Sequence, residues 1–268
     1  MPIANAPVTR IAELEWANYA ATQVTAQVTP GLDVTLREDV VITTSQVFPS
    51  PDANHACLLR TTPPAADGLI AEIVDHFQSQ GLPPTIFLSP ACTPADLAER
   101  LLARGFVRQE EEEAWVVLEN LRDFEIPALS LRVQVRPITA DETLTYAQIF
   151  VAAFELPDEF APYLAQLLAP SVGLPAVRHY LALLDGQPVG ILSLLCYEGF
   201  GVIGSGGVLP AHRRSGAAFN LTIQAGREAR ERGIDTLMGQ TAGGAPLERL
   251  LRISGFKTAF TRTCYTLP

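Results

Sequence analysis

The sequence predicts a mixed α/β protein built on a central sheet, with one supersecondary module occurring twice along the chain. Three observations carry this expectation. PADLAERLLARGF, ending at Phe106, and APLERLLRISGF, ending at Phe256, each combine a Glu-Arg-Leu-Leu helix with a Gly-Phe turn, and each is followed nine residues on by an aromatic, Trp115 or Tyr265, in a strand-like segment. Residues 208–218, VLPAHRRSGAA, lead from the end of an apolar strand through six residues that match RxxGxA, Arg213 to Ala218, into an amphipathic helix. From the middle of the chain to its end, strand-like and helix-like stretches alternate in an order that suits helices packed on a sheet.

The repeat divides the chain into a half over residues 1–126 and a half over residues 130–268, with the joint near Pro127. In the first half, Thr93 followed by Pro94 has the form of an N-cap with proline at the first helical position. The run Glu110 to Glu113 reads as a solvated strand entry without chemistry, and AWVVLENL as the strand itself. In the second half, Leu131 to Pro137 alternates as a strand does. Thr139 with Glu142 makes a capping box that opens a helix through Phe154, and FELPDEFAPYLAQLL supplies a break and a second helix. Tyr180 to Leu184 and Val189 to Leu195 flank Asp185-Gly186 as a hairpin. Val202 to Val208 gives the next strand. The helix after the loop places Ala218, Leu221, Ala225 and Ala229 on one face and stops at Gly233. A short strand at Thr236 to Gln240, the second Glu-Arg-Leu-Leu helix and a last strand complete the chain.

The loop before that helix has the chemistry of an anion site. Amides at a helix start are unpaired and carry the positive end of the macrodipole. Gly216 and Ala218 remove bulk where backbone would approach an anion, and His212, Arg213 and Arg214 add positive charge in a chain whose formal net charge is -10. That acidic balance argues against nucleic acid or an anionic membrane as partner and suits a cationic substrate. At 268 residues and 48% hydrophobic, the chain can bury a sizeable core. Cys57, Cys92, Cys196 and Cys264 are widely spaced with no CxxC pair, so neither a metal site nor a disulfide framework is expected. The N-terminal segment MPIANAPVTRIAELEW has no basic stretch followed by an apolar core, and turns break the apolar runs elsewhere, which predicts a soluble, cytoplasmic protein.

With its RxxGxA loop, its helix and its Gly-Phe ending in this order, the segment 130–268 resembles the GNAT family of acyl-CoA-dependent N-acetyltransferases. Residues 1 to about 125 look like a degenerate partner copy, since they keep the helix, Gly-Phe and strand but lack the loop. The resemblance implies a mixed, mostly antiparallel central sheet flanked by helices, a GNAT-like fold in tandem, with acetyl-CoA as co-substrate and no metal. It implies that Val208 lies at the strand end that pairs with the pantetheine arm and polarises the thioester carbonyl. Arg213, Arg214, Ser215, Gly216, Ala217 and Ala218 would offer amides to the pyrophosphate. Gly204, Gly206 and Gly207 fit either a strand kept slim beside the cofactor or a bulge.

The remaining roles are less marked. Many relatives have a tyrosine four residues before the Gly of Gly-Phe that protonates the departing thiolate; here Leu251 stands there, and Ser254 and Tyr265 are the substitutes to weigh. A thiol with a reference pKa of about 8.5 leaves readily near neutral pH, so water suffices as the acid. An alkyl ammonium of pKa about 10.4 must lose a proton before attack, and Glu198 is the candidate base, with His212 beside the loop as the other. Glu155, Asp158 and Glu159, around Pro157, lie where the family selects its substrate and could attract a positively charged amine. The expected activity is direct N-acetyl transfer to a primary amine of a small molecule or peptide in a ternary complex, in a monomer or homodimer. A non-catalytic acyl-CoA binder or sensor is the alternative, favoured by Leu251, and an unrelated phosphate-binding domain is a third.

Overall fold

The computed structural model describes residues 6–48, 50–129 and 132–268. Met1–Asn5, Pro49, Ser130 and Leu131 lie outside the described residues, and with them the first residue of the strand expected over Leu131 to Pro137. The first half contains α1 (Val8–Ala26), β1 (Leu32–Leu36), β2 (Val41–Ser45), β3 (His55–Cys57), α2 (Ala66–Gln78), β4 (Thr85–Leu88), α3 (Leu97–Ala103) and β5 (Val107–Leu118). The second contains β6 (Val133–Pro137), α4 (Thr143–Ala153), α5 (Ala161–Leu168), β7 (Val177–Leu184), β8 (Gln187–Tyr197), β9 (Phe200–Val208), α6 (Ala217–Glu231), β10 (Thr236–Ala242), α7 (Pro246–Ile253) and β11 (Lys257–Thr266).

Local signals place most of these elements. The capping box forms as expected, with the Thr139 amide and hydroxyl both donating to Glu142 at 2.9 Å, and a short 3-10 turn over Ala140–Glu142 leads into α4. Asp185 and Gly186 both adopt positive φ, 50° and 80°, the geometry of a two-residue hairpin turn between β7 and β8. The Thr93-Pro94 expectation is corrected. Helix α3 begins at Leu97, because the Thr93 amide is already bonded to the Leu59 carbonyl and its own carbonyl accepts from Thr61.

The eleven strands of the described residues form one sheet in the order β1-β2-β3-β4-β11-β5-β10-β9-β8-β7-β6. Among the described strands only β3–β4 and β9–β10 run parallel, so the sheet is mixed and mostly antiparallel as expected. Its centre is a crossing. Strand β5, which closes the first repeat, pairs with β10 of the second, and β11, which closes the second, pairs with β4 of the first. The two closing strands also pair with each other.

Alternation along these strands divides the core into two layers. On one face Val116, Leu118, Ile203 and Leu237 pack with α6 and α7, while Ile42, Ile86 and Tyr265 pack with α2 and α3. On the other, Trp115, Val117, Val202, Met238 and Phe260 pack with α1, and Leu181 and Ile191 with α4. No helix among the described residues is long and apolar enough to cross a membrane.

Beneath α1 lies a buried charge. The Arg262 guanidinium, from β11, donates to Glu113 of β5 at 2.6–2.7 Å, to the Tyr19 hydroxyl at 2.8 Å and to Glu15 of α1 at 3.3 Å. Its plane is flanked by the rings of Phe87 at 4.6 Å and Trp115 at 4.8 Å. Glu15 takes a further bond from Ser89, and Tyr19 donates to His55, whose other ring nitrogen donates to the Pro51 carbonyl. Glu113 is therefore not a solvated strand entry like Glu110 and Glu111; its carboxylate faces inward as a counter-ion. Burial pushes the Glu15 carboxyl up, and Arg262 opposes that push. Desolvation drives the His55 imidazole down to about 3, so it is neutral in the core.

Replacing one member of such a set leaves the other charge buried without a partner, which costs about 3–5 kcal/mol. Arg262→Met is expected to lower stability by that amount in urea unfolding, and adding Glu15→Gln is expected to restore part of it. Equal midpoints for wild type and Arg262→Met would refute the assignment.

Candidate functional site

The site is a wedge between two parallel neighbours. Strands β9 and β10 pair only from Phe200 with Thr236 to Ile203 with Gly239, although β9 continues to Val208 and β10 to Ala242. Each strand keeps its outer partner beyond that point. Gly204 and Gly207 remain opposite Ser193 and Ile191 of β8, and Gln240 and Thr241 remain opposite Trp115 and Ala114 of β5. The facing edges thus separate while the outer edges stay paired, which leaves a row of backbone donors and acceptors along Gly204 to Val208 turned into the opening.

Two features shape the wedge. At its apex Gly239 lies against Ile203, where an added Cβ would stand 2.8 Å from Ile203 Cγ1 and 3.1 Å from its carbonyl oxygen. Further up, β9 carries one extra residue between Gly204 and Gly207, with Ser205 at φ 51°. The glycine-rich stretch is therefore a bulge. Gly207 also has a packing reason, since a Cβ there would come within 2.7 Å of Ala153 on α4.

The loop over residues 209–216 closes the wide end of the wedge. Leu209 is held to Val189 of β8, and a short turn over Pro210–His212 follows. Arg214 and Gly216 then take positive φ, 71° and 91°. Gly216 caps α6 in a left-handed conformation with open space where a side chain would go. Asn220 is the first residue of α6 whose amide bonds back along the chain, to Gly216, and the Ala217 amide uses Ser215 Oγ. The amides of Arg214, Gly216, Ala218 and Phe219 have no protein partner among the described residues. Helix α6 is held behind them by Leu221, Ala225 and Ala229, and by Asn220 Nδ2 donating to the Val133 carbonyl. This is a cluster of unpaired donors at the positive end of a 15-residue helix, the arrangement that favours a phosphate-type anion.

The structure brings some of the expected residues together and separates others. Val208 and the loop residues from Arg213 to Ala218 lie along one mouth. Arg214 is exposed and makes no bond to the described residues, whereas Arg213 reaches the Ala153 carbonyl at 3.3 Å and Glu155 at 3.8 Å. Glu155 thus faces a loop arginine, and both side chains are more than half exposed, so the pair contributes little and separates easily. Asp158 and Glu159 lie in the exposed turn before α5, beside the exposed rings of Phe154 and Phe160. Glu198 stands in the tight turn between β8 and β9, at the opposite end of β9 from Val208, so it is not brought to the mouth.

Leu251, at the position of the missing tyrosine, is 2% exposed and packed in the core under α6. Neither substitute takes its place. Ser254 donates its hydroxyl to the Leu250 carbonyl, and Tyr265 is packed against α2 and α3. A hydroxyl that sequence reasoning missed does reach the wedge. Tyr146 of α4 hydrogen-bonds to Ser193 at 2.8 Å and contacts Ser205 at the bulge, and burial pushes its phenol up. Its spacing in the α4 helix reads only as core, which is why periodicity did not single it out.

The first half repeats the wedge in closed form. Strands β3 and β4 are parallel and pair at Ala56 and Ile86, and Leu58, at φ 50°, matches the left-handed residue of the β9 bulge. There the strands join again at Arg60 and Thr93, through the Thr93 amide to Leu59 and the Thr61 amide to Thr93. The lead into α2 holds Pro63 and Pro64, which have no amide hydrogen, and the Ala65 and Ala66 amides are spent on Thr62. Among the described residues only the Asp67 and Gly68 amides are left without a partner at this helix start, beside the Asp67 carboxylate, which disfavours an anion there.

Residues 144–256 match the family described as "Acetyltransferase (GNAT) family". A search of curated protein sequences finds no match. Among solved structures, a GCN5-related N-acetyltransferase from Kribbella flavida superposes with a TM-score of 0.72 at 19% identity, covering 99% of this chain and 97% of that one. A tandem GNAT protein from the clavulanic acid biosynthesis pathway gives 0.63 at 15% identity over 97% and 94%. A GCN5-related N-acetyltransferase from Sphaerobacter thermophilus gives 0.61 at 19% identity over 98% and 94%. At these identities the likeness is one of fold, and it extends over both halves.

The apex is tight enough to test directly. Gly239→Ala forces a Cβ against Ile203 and is expected to cost about 1–3 kcal/mol in a denaturant titration, as overpacking does. An unchanged midpoint would mean that the strands are not clamped at this point.

Proposed function

We propose that this chain, whose residues 144–256 match the GNAT family, is an acyltransferase of that kind and transfers the acetyl group of acetyl-CoA to a primary amine of a small molecule or peptide, directly and within a ternary complex. The observation that carries the reading is the wedge with its capped end: a free strand edge leading to unpaired amides at a helix start.

The residues fit acetyl-CoA part by part. The amides of Arg214, Gly216, Ala218 and Phe219 suit the diphosphate, with the unpaired Arg214 guanidinium beside them. The edge from Gly204 to Val208 suits the amides of the pantetheine arm, and a backbone N–H near Val208 suits the thioester carbonyl, whose oxygen gains charge as the amine adds. Arg213, Ser215 and Ala217 hold the loop in shape: Arg213 against α4, Ser215 through the Ala217 amide, Ala217 by burial beneath α6. The leaving thiolate needs no protein acid, which accommodates Leu251. On the other side of β9, Glu155, Asp158 and Glu159 with Phe154 and Phe160 form an acidic, aromatic border suited to a cationic amine. A soluble, cytoplasmic protein that engages neither nucleic acid nor membrane agrees with the acidic composition.

The test has two arms. Thiol release from acetyl-CoA is followed over a broad panel of primary amines, and coenzyme A binding is measured by calorimetry. Amine-dependent release is expected; binding without release by any amine would make the protein an acyl-CoA binder instead. Gly216→Glu places a carboxylate at the diphosphate position, and the left-handed φ adds about 1–2 kcal/mol of strain. It is expected to reduce coenzyme A affinity at least about 100-fold while the circular dichroism spectrum stays unchanged. Wild-type affinity in that variant would remove the loop from the binding site.

A further inference from the structure

Behind the bulge of β9 a line of polar side chains runs through an otherwise apolar layer. Tyr146 of α4 bonds to Ser193 of β8 at 2.8 Å, Ser193 to His179 Nδ1 of β7 at 2.7 Å, and His179 Nε2 to Ser171 at 2.8 Å. Tyr146, Ser193, His179 and Ser171 are each no more than 6% exposed. At the cleft end Tyr146 contacts Ser205, which is exposed at the bulge. The neighbours of this line are Ile138, Ile149, Leu181 and Ile191.

The direction of every hydrogen follows from the far end. Ser171 spends its one hydrogen on the Leu168 carbonyl at 2.7 Å, so towards His179 it can only accept. His179 Nε2 therefore carries a hydrogen and Nδ1 is a lone pair. Ser193 donates to that lone pair and accepts from Tyr146, and Ser205 stands beside the Tyr146 hydroxyl at the cleft end. Tyr146 and Ser193 thus point their hydrogens away from the cleft, and the line ends on an imidazole nitrogen that carries no hydrogen of its own. Burial supports this state, since desolvation lowers the imidazole to about 4 and keeps it neutral.

We infer that Ser205, Tyr146, Ser193 and His179 form a proton relay that takes up the hydrogen released by the attacking amine. The inference rests on the acyl-transfer reading above. As the nitrogen adds to the thioester carbonyl, the C–N bond forms and the C–S bond breaks, and the thiolate leaves with the bonding pair. The surplus nitrogen proton passes to Ser205 Oγ, the Ser205 proton to Tyr146, the Tyr146 proton to Ser193, and the Ser193 proton to His179 Nδ1. The reverse shift returns one proton from the imidazolium to the cleft, where the thiolate becomes the thiol, so no proton is gained or lost overall. A weakly basic imidazole suffices, because a nitrogen bonded to the carbonyl carbon is far more acidic than a free ammonium. In this scheme Ser205 touches the substrate, while Tyr146, Ser193 and His179 act through it as positioning residues. Glu198 has no part.

The relay is tested with acetyl-CoA and the fastest primary amine of the panel. Tyr146→Phe and Ser193→Ala each remove one hydroxyl without altering charge. Each is expected to lower kcat about 100-fold with the KM for acetyl-CoA changed less than about two-fold, and the double variant is expected to match either single one, since a serial path is broken once. Nitrogen-15 NMR of the wild-type imidazole is expected to show His179 as the neutral Nε2–H tautomer at pH 7. Full kcat in Tyr146→Phe overturns the relay and leaves acyl transfer standing, as does an Nδ1–H tautomer or an imidazolium at His179. A ten-fold loss of coenzyme A affinity in Tyr146→Phe would overturn it in favour of a purely structural role. Absence of thiol release by wild type with every amine removes the acyl-transfer reading and the relay together.

Discussion

The crossing of β5 and β11 is the constraint on which the rest of the molecule depends. Each closing strand lies between two strands of the other half, so the two halves of the sheet cannot be separated without breaking three ladders. Arg262 fastens that crossing from below, because one guanidinium bonds β11 to Glu113 on β5 and to Glu15 and Tyr19 on α1. A charge in this position is held by its full set of partners, with Phe87 and Trp115 closing over its faces. The contribution is one of register as much as of energy: an unpaired guanidinium in the core would be so unfavourable that α1 has one place to dock.

The wedge follows from the crossing. Two parallel strands that part must each have another neighbour, or the exposed edges would close on each other or fray. Strand β9 has β8 within its own half, but β10 has β5, which the first half supplies. The first half thus carries a load for the cleft of the second even though its own wedge is shut by Arg60 and Thr93 and its helix lead is filled with prolines. A copy whose own wedge is shut still provides a strand.

Legibility in the sequence depended on how local each feature is. The loop before α6 could be read because its free amides lie within a few residues of one another, and the RxxGxA spacing specifies backbone geometry directly. The Thr139 capping box and the Asp185-Gly186 turn were legible for the same reason. Helix α1 was not, since Glu15 and Asn18 interrupt its apolar pattern and their partners, Arg262 and Gln240, lie more than 200 residues further along. Glu113 was lost within a run of four glutamates whose other members face outward. The hydroxyl and imidazole line behind the bulge was invisible, because Tyr146, Ser193 and His179 occupy three separate elements and each alone resembles an ordinary core residue.

The sequence by itself determined the element types of the second half, the repeated helix, Gly-Phe and strand ending, and the backbone form of one loop, because propensity, capping and backbone freedom act over a few residues. Tertiary structure alone decided which strands cross, that Glu198 stands at the far end of β9, that Arg213 leans on Glu155, and that Leu251 is buried. Those outcomes depend on pairing and burial between segments distant along the chain, where no local pattern specifies the partner.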